Sequence, residues 1–237
     1  MKFAHSILLL TSLAGVASAA TIVQTQNFGF VPNGSQALTF SKFDTTLGTL
    51  TSVTVSVTLN KTGGSYEVDN DSETGGTIDL THSVVGQLSS SDVALLKAGP
   101  GFEFVGQSGN LTATNTLSQL VTATTGDSTT TFNATLLDDY VRFDPTDTST
   151  SDSGTINSAF QSGYQSAGAS TFHMSMGATQ TVNATGLGGL QQAFTVSSIS
   201  GDVVVTYNYT AFAPVPEPAS ALLGGIGLLG LLRRRRR

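Results

Sequence analysis

The sequence predicts an all-β protein, an antiparallel β-sandwich of jelly-roll-like character set between two sorting segments. Three observations predict it. Residues 50–59 alternate with a period of two, placing Val53, Val55, Val57 and Leu59 on one face and Thr54, Ser56 and Thr58 on the other. The chain is rich in Thr, Ser, Gly and Val, and β-branched side chains fit a pleated surface better than a helix. Paired turn residues, such as Asn33-Gly34, Gly63-Gly64, Gly75-Gly76, Gly126-Asp127 and Gly188-Gly189, divide the chain into many short runs. Short strands with few helical patterns are the signature of a sandwich.

The elements follow in order. Met1-Lys2 is a weak positive start, 7–16 is apolar, and Ala17-Ser18-Ala19 is a small-residue cleavage site. Residues 1–19 therefore read as a signal peptide, with Ala20 the expected mature start. Residues 20–212 form the extracellular β-sandwich domain. Its expected strands are 21–30, 37–40, 50–59, 77–85, 110–123, 128–136, 140–143, 170–177, 192–196 and 203–210. The last carries Val203, Val205, Tyr207 and Tyr209 on one side. One stretch, 89–100, starts with Ser and Asp and stops at Gly99-Pro100, which predicts one or two helical turns between strands.

Residues 213–237 differ from the rest. Val215-Pro216-Glu217-Pro218 precedes an uncharged span, 219–232, and then Arg233, Arg234, Arg235, Arg236 and Arg237. As a helix the span reaches about 21 Å at roughly 1.5 Å per residue, against a hydrocarbon core of ~30 Å. It reads as a short C-terminal transmembrane helix whose arginines resist translocation and mark the cytoplasmic side. Pro216 and Pro218 cannot continue that helix, so the segment before it is extended and open to a protease.

This three-part end resembles the PEP-CTERM sorting signal of Gram-negative bacteria. The resemblance implies an exported protein, recognised at Pro216-Glu217-Pro218 by a membrane-embedded exosortase that removes the tail. The processing partners are then signal peptidase and exosortase. The protein rests in the inner membrane before processing and at the cell surface or outside afterwards, with extracellular polysaccharide as a candidate neighbour. A second resemblance lies in Phe40, Phe43-Asp44, Leu47-Gly48, Leu50 and Val53, which look like the choice-anchor domains of type E. It implies an exported bacterial domain over 21–212 and no particular chemistry. On the residues alone, Phe40, Phe43, Leu47 and Leu50 are expected in the core, with Gly48 permitting a turn.

Charge and composition exclude several functions. Outside the sorting segments only Lys42, Lys61, Lys97 and Arg142 are basic, while fifteen of the sixteen acids remain, all but Glu217. So acidic a domain is no nucleic-acid binder. The absence of cysteine excludes disulfides, thiol catalysis and Cys-ligated metals. No G-x-S-x-G elbow or H-E-x-x-H pair occurs, so no catalytic residues are assigned and the chain is read as a non-enzyme. His82 and His173 stand alone in expected strands and read as surface or hydrogen-bonded residues. Glu67, Asp69, Asp71 and Glu73, in a Gly-bounded loop, are candidate oxygen ligands for calcium, although they fail the EF-hand spacing. The competing reading of that loop is a solvated acidic turn; no other cofactor is implied. The favoured function is a structural or adhesive surface protein. The alternative is a carbohydrate-binding module or secreted hydrolase on the same scaffold.

Overall fold

The computed structural model describes residues 18–123, 132, 139–212, 224, 225 and 228. The strands are β1 (Ala19–Phe30), β2 (Gly34–Ser41), β3 (Phe43–Asp44), β4 (Gly48–Thr62), β5 (Ser65–Asn70), β6 (Gly76–Ser89), β7 (Thr112–Val121), β8 (Tyr140–Phe143), β9 (Thr148–Thr155), β10 (Gln165–Ser166), β11 (Thr171–Thr185), β12 (Leu190–Thr195) and β13 (Ser198–Ala211). One 3-10 helix, Ser158–Tyr164, precedes β10, and Asn157 caps it by accepting from the Ala159 amide.

Two four-stranded antiparallel sheets carry the fold, ordered β1-β13-β4-β9 and β2-β11-β6-β7. A three-stranded sheet, β12-β5-β8, and a short parallel pair, β10-β3, complete it. The alternation seen in the sequence sets the inner faces. Val53, Val55, Val57 and Leu59 of β4 are fully buried, and they face Tyr207, Val205, Val203 and Gly201 of β13. The second large sheet contributes Phe40, Val84, Leu88, Met174 and Met176 to the same cluster. The two sheets thus share one apolar core, the chief source of stability in a chain without disulfides. At one end the core is aromatic. Phe40 stacks on Phe172 at 5.6 Å, Tyr164 meets Phe172 edge-on at 5.3 Å, and Phe43 lies 5.0 Å from Tyr209.

A second, smaller cluster joins Tyr66 and Val68 of β5 to Ile78 and Leu80 of β6 and Val121 of β7. The three-stranded sheet therefore covers the apolar ends of β6 and β7 that extend beyond the main core.

Several expectations change. Residues 89–100 form no helix: after β6 the chain runs through bends into isolated bridges, Leu96 to Phe104 and Lys97 to Ile156. Val93 and Leu95 are buried in the main core, and Tyr164 donates to the Ala94 carbonyl at 2.7 Å, so tertiary contacts override the local helix signals. The acidic segment read as a loop from Glu67 is strand as far as Asn70. Residues 148–155 form β9, an edge strand that the sequence reading missed. Leu47 is 46% exposed rather than core, while Phe40 and Phe43 are buried. Gly48 serves a close approach instead of a turn: a Cβ there would stand 2.2 Å from the Thr210 carbonyl oxygen. The expected strand 128–136 lies outside the described residues apart from Phe132, as does the signal peptide up to residue 17. Of the expected C-terminal transmembrane helix, only Gly224, Gly225 and Leu228 are described, and they are helical. Among the described residues no helix is long and apolar enough to cross a membrane.

Candidate functional site

The sorting residues Val215, Pro216, Glu217, Pro218 and Arg233 to Arg237 lie outside the described residues, but the fold places their point of departure. β13 ends at Ala211, and Phe212 donates its amide to the Leu47 carbonyl at 3.2 Å. β1 and β13 are antiparallel, with Ala19 opposite Thr210, and the Ala211 amide reaches the Ser18 carbonyl at 2.9 Å. The chain before β1 and the chain after β13 therefore leave the same end of one sheet. β13 is also an inner strand, paired to β1 along one edge and to β4 along the other. A pull on the tag is borne by two hydrogen-bond ladders at once.

The four acids read as calcium candidates do not converge. Glu67 faces Arg142 in the β5–β8 register and accepts from its guanidinium at 2.8 Å. The same guanidinium bonds Asp144 at 2.9 Å, which holds the Asp144 carboxyl below its usual range. Asp69, on the same side of β5 as Glu67, is buried, whereas Glu73 is exposed on the following turn. The buried Asn70, which sequence reasoning passed over, organises that turn. Its amide donates to the Thr74 carbonyl at 3.0 Å and the Thr122 carbonyl at 2.7 Å, and its oxygen accepts from the Ser72 amide and hydroxyl. Among the described residues no three His, Cys, Asp or Glu side chains are grouped as a metal would require.

The histidines differ from each other. His173 is exposed and meets Asp92 at 3.0 Å. That bond, with a second from the His173 amide, lowers the Asp92 pKa. The nearby Ser90 hydroxyl donates to the His173 backbone carbonyl at 2.6 Å, not to its ring, so these three residues lack the geometry of a serine triad. His82 was expected at the surface or hydrogen-bonded and is neither. It is fully buried, and neither ring nitrogen has a hydrogen-bond partner among the described residues. It lies on the inner face of β6, between Leu80 of the smaller cluster and Val84 of the main core. Burial, followed by the nearby charge of Lys61, pushes its pKa down to about 4.

Lys61 ends the inward row of β4 and is fully buried too. Its Nζ donates to Asn115 Oδ1 at 2.6 Å. Thr148 Oγ1 donates to that same oxygen at 3.1 Å, and Asn115 Nδ2 donates to Thr146 Oγ1 at 3.2 Å. Lys61, His82 and Asn115 form a polar partition where the two apolar clusters meet. No motif announces it, because its members come from three strands. A Lys at the end of an inward-facing row was the available signal.

The groove with the clearest walls is about 470 Å³ and open, lined by Gln87, Ser90, Val93, Phe104, Gln107 and Ser108 among others. Phe102 and Phe104 stand exposed at 82% and 45% on the loop beside it.

Comparison with known proteins bears on the tail. Residues 214–237 match the PEP-CTERM protein-sorting motif. No curated protein matches the chain significantly. Solved structures with some likeness include the T13 viral particle of IBDV, at 17% identity over 86% of this chain and 42% of that one, with a TM-score of 0.15. Another is the VP2 subviral particle of infectious bursal disease virus, at 16% identity over 92% of this chain and 48% of that one, with a TM-score of 0.11. The chain spans less than half the length of either, and such TM-scores carry no argument about fold. The chain thus ends in a PEP-CTERM sorting motif, the mark of an exported protein that an exosortase processes and that finishes at the cell surface or outside it.

Proposed function

We propose that this chain is a structural or adhesive β-sandwich protein of the cell surface or extracellular matrix, held in the inner membrane by its tail until processing. The observation that carries this reading is the junction between tag and domain. The tag leaves from an inner strand whose neighbour begins at the mature N-terminus, so the domain is presented from one end. The jelly-roll label draws support from the strand order. Of the eight longer strands, first, eighth, third and sixth make one sheet and second, seventh, fourth and fifth the other, as two nested Greek keys produce. The choice-anchor resemblance of 40–53 belongs to the same reading and adds no chemistry.

The test is the mature C-terminus, measured by intact mass on protein from its own host. The expected species ends near Pro218, and deletion of the host exosortase leaves Arg233 to Arg237 attached. A wild-type protein that keeps its arginines would overturn processing and make the tail a permanent anchor.

A second reading, a carbohydrate-binding module, rests on the open groove beside Phe102 and Phe104, since sugar faces stack on aromatic rings. It predicts that Phe104→Ala weakens binding to the host's polysaccharide without changing Tm. Calcium belongs to this reading as a candidate structural ion. Because Arg142 holds Glu67 and Asn70 closes the turn, the expected Tm is the same in calcium and in chelator. A rise with calcium that Asp69→Asn with Asp71→Asn abolishes would establish the ion instead.

A further inference from the structure

Lys61 is placed where an ammonium is least stable. It is fully buried, and among the described residues it makes no ion pair. Burial lowers its pKa, outweighing the opposite pull of Asp147, and so favours the neutral, nucleophilic amine. That amine lies against a carboxamide: Nζ is 2.6 Å from Asn115 Oδ1. A second donor stands within reach of that carbonyl: the Thr148 hydroxyl, 3.1 Å from both Asn115 Oδ1 and the Thr146 carbonyl oxygen. The amide nitrogen points the other way, to the hydroxyl of the exposed Thr146. An amine, an amide oxygen with a donor in reach and a leaving nitrogen facing water are the parts of an acyl transfer.

We propose that Lys61 and Asn115 condense into an intramolecular isopeptide bond, joining β4 of one large sheet to β7 of the other. The Lys61 ammonium first gives up a proton. Nζ then attacks Cγ of Asn115, and the Thr148 hydroxyl meets the charge that develops on Oδ1. Nζ, cationic once bonded, passes a second proton to Nδ2, the Cγ–Nδ2 bond breaks, and ammonia leaves past Thr146, taking up the first proton in water as ammonium. One carbon–nitrogen bond forms and one breaks, so no oxidant or reductant is needed. His82 is placed to relay the second proton from Nζ to the leaving nitrogen as a neutral ring, accepting at one nitrogen while donating from the other, which avoids the imidazolium its buried site disfavours. It faces Asn115 across the β6–β7 register and lies close enough to Lys61 to feel its charge. Its two bare ring nitrogens are then explained as the acceptor and the donor of that relay. The product replaces a costly buried cation with a neutral amide. It also ties together strands whose linked residues are 54 apart in the chain, the service a disulfide gives other exported domains and one this cysteine-free chain cannot obtain otherwise.

The experiment is peptide mapping of the folded wild-type chain after denaturation and trypsin digestion. The expected product is a branched peptide containing both Lys61 and Asn115, uncut after Lys61 and lighter by one ammonia than its two linear parts. Lys61→Arg and Asn115→Ala should each yield linear peptides only. A succinimide at Asn115 would also lose ammonia, but it would leave Lys61 cleavable. Wild-type protein that is cut after Lys61 and shows no branched peptide would overturn the proposal, whatever the stability of the variants.

Discussion

Val55→Asp is expected to destabilise the domain by about 4 kcal/mol, read as a lowered denaturation midpoint in urea. Val55 is fully buried at the centre of β4, facing Val205 on β13 and Gly154 on β9. An aspartate there meets no cation, because the surrounding cluster is aliphatic and aromatic. The control is Ser56→Asp, one residue along, where the side chain points to the opposite face and the change is expected to stay within about 1 kcal/mol. Equal effects at the two positions would show that the inner face of β4 has been assigned wrongly.

The second large effect is a loss of stability in mild acid. In the unfolded chain His82 titrates near 6.5, whereas in the folded chain its pKa is about 4. Between those values the unfolded state binds a proton that the folded state refuses. The stabilising contribution is therefore complete above pH 6.5 and is lost as pH falls toward 4, a change of roughly 3 kcal/mol at most. Asp152 is a potential confounder. Burial raises its pKa, but bonds from Lys97 and the Gly106 amide outweigh that and leave it below 3.8, so it acts in a lower window. Denaturation midpoints measured from pH 7 to 4 should slope for the wild type and flatten for His82→Leu. The same slope in both would mean that His82 is not the group responsible.

The acidic turn shows why parts of the fold could not be read ahead. In β5 the apolar alternation is only two residues long, Tyr66 and Val68, and the interleaved Glu67 and Asp69 look like a loop until β8 places Arg142 opposite. β9, Thr-Ser-Thr-Ser-Asp-Ser-Gly-Thr, has no apolar residue; its extended state comes from pairing with β4. By contrast β4 and β13 were legible to within a few residues, because a long alternating run has one face that must leave water.

The sequence by itself determined where this protein is sent and what kind of chain it is. A sorting motif is read as a short linear peptide, and strand periodicity is local, so neither waits for the fold. The tertiary structure decided which strands pair, which side chains meet and what the core costs. It alone set Lys61 against Asn115 and His82, and brought the two ends of the domain together. Contacts between distant residues depend on sheet order and register, which arise only when separate apolar faces find a common core.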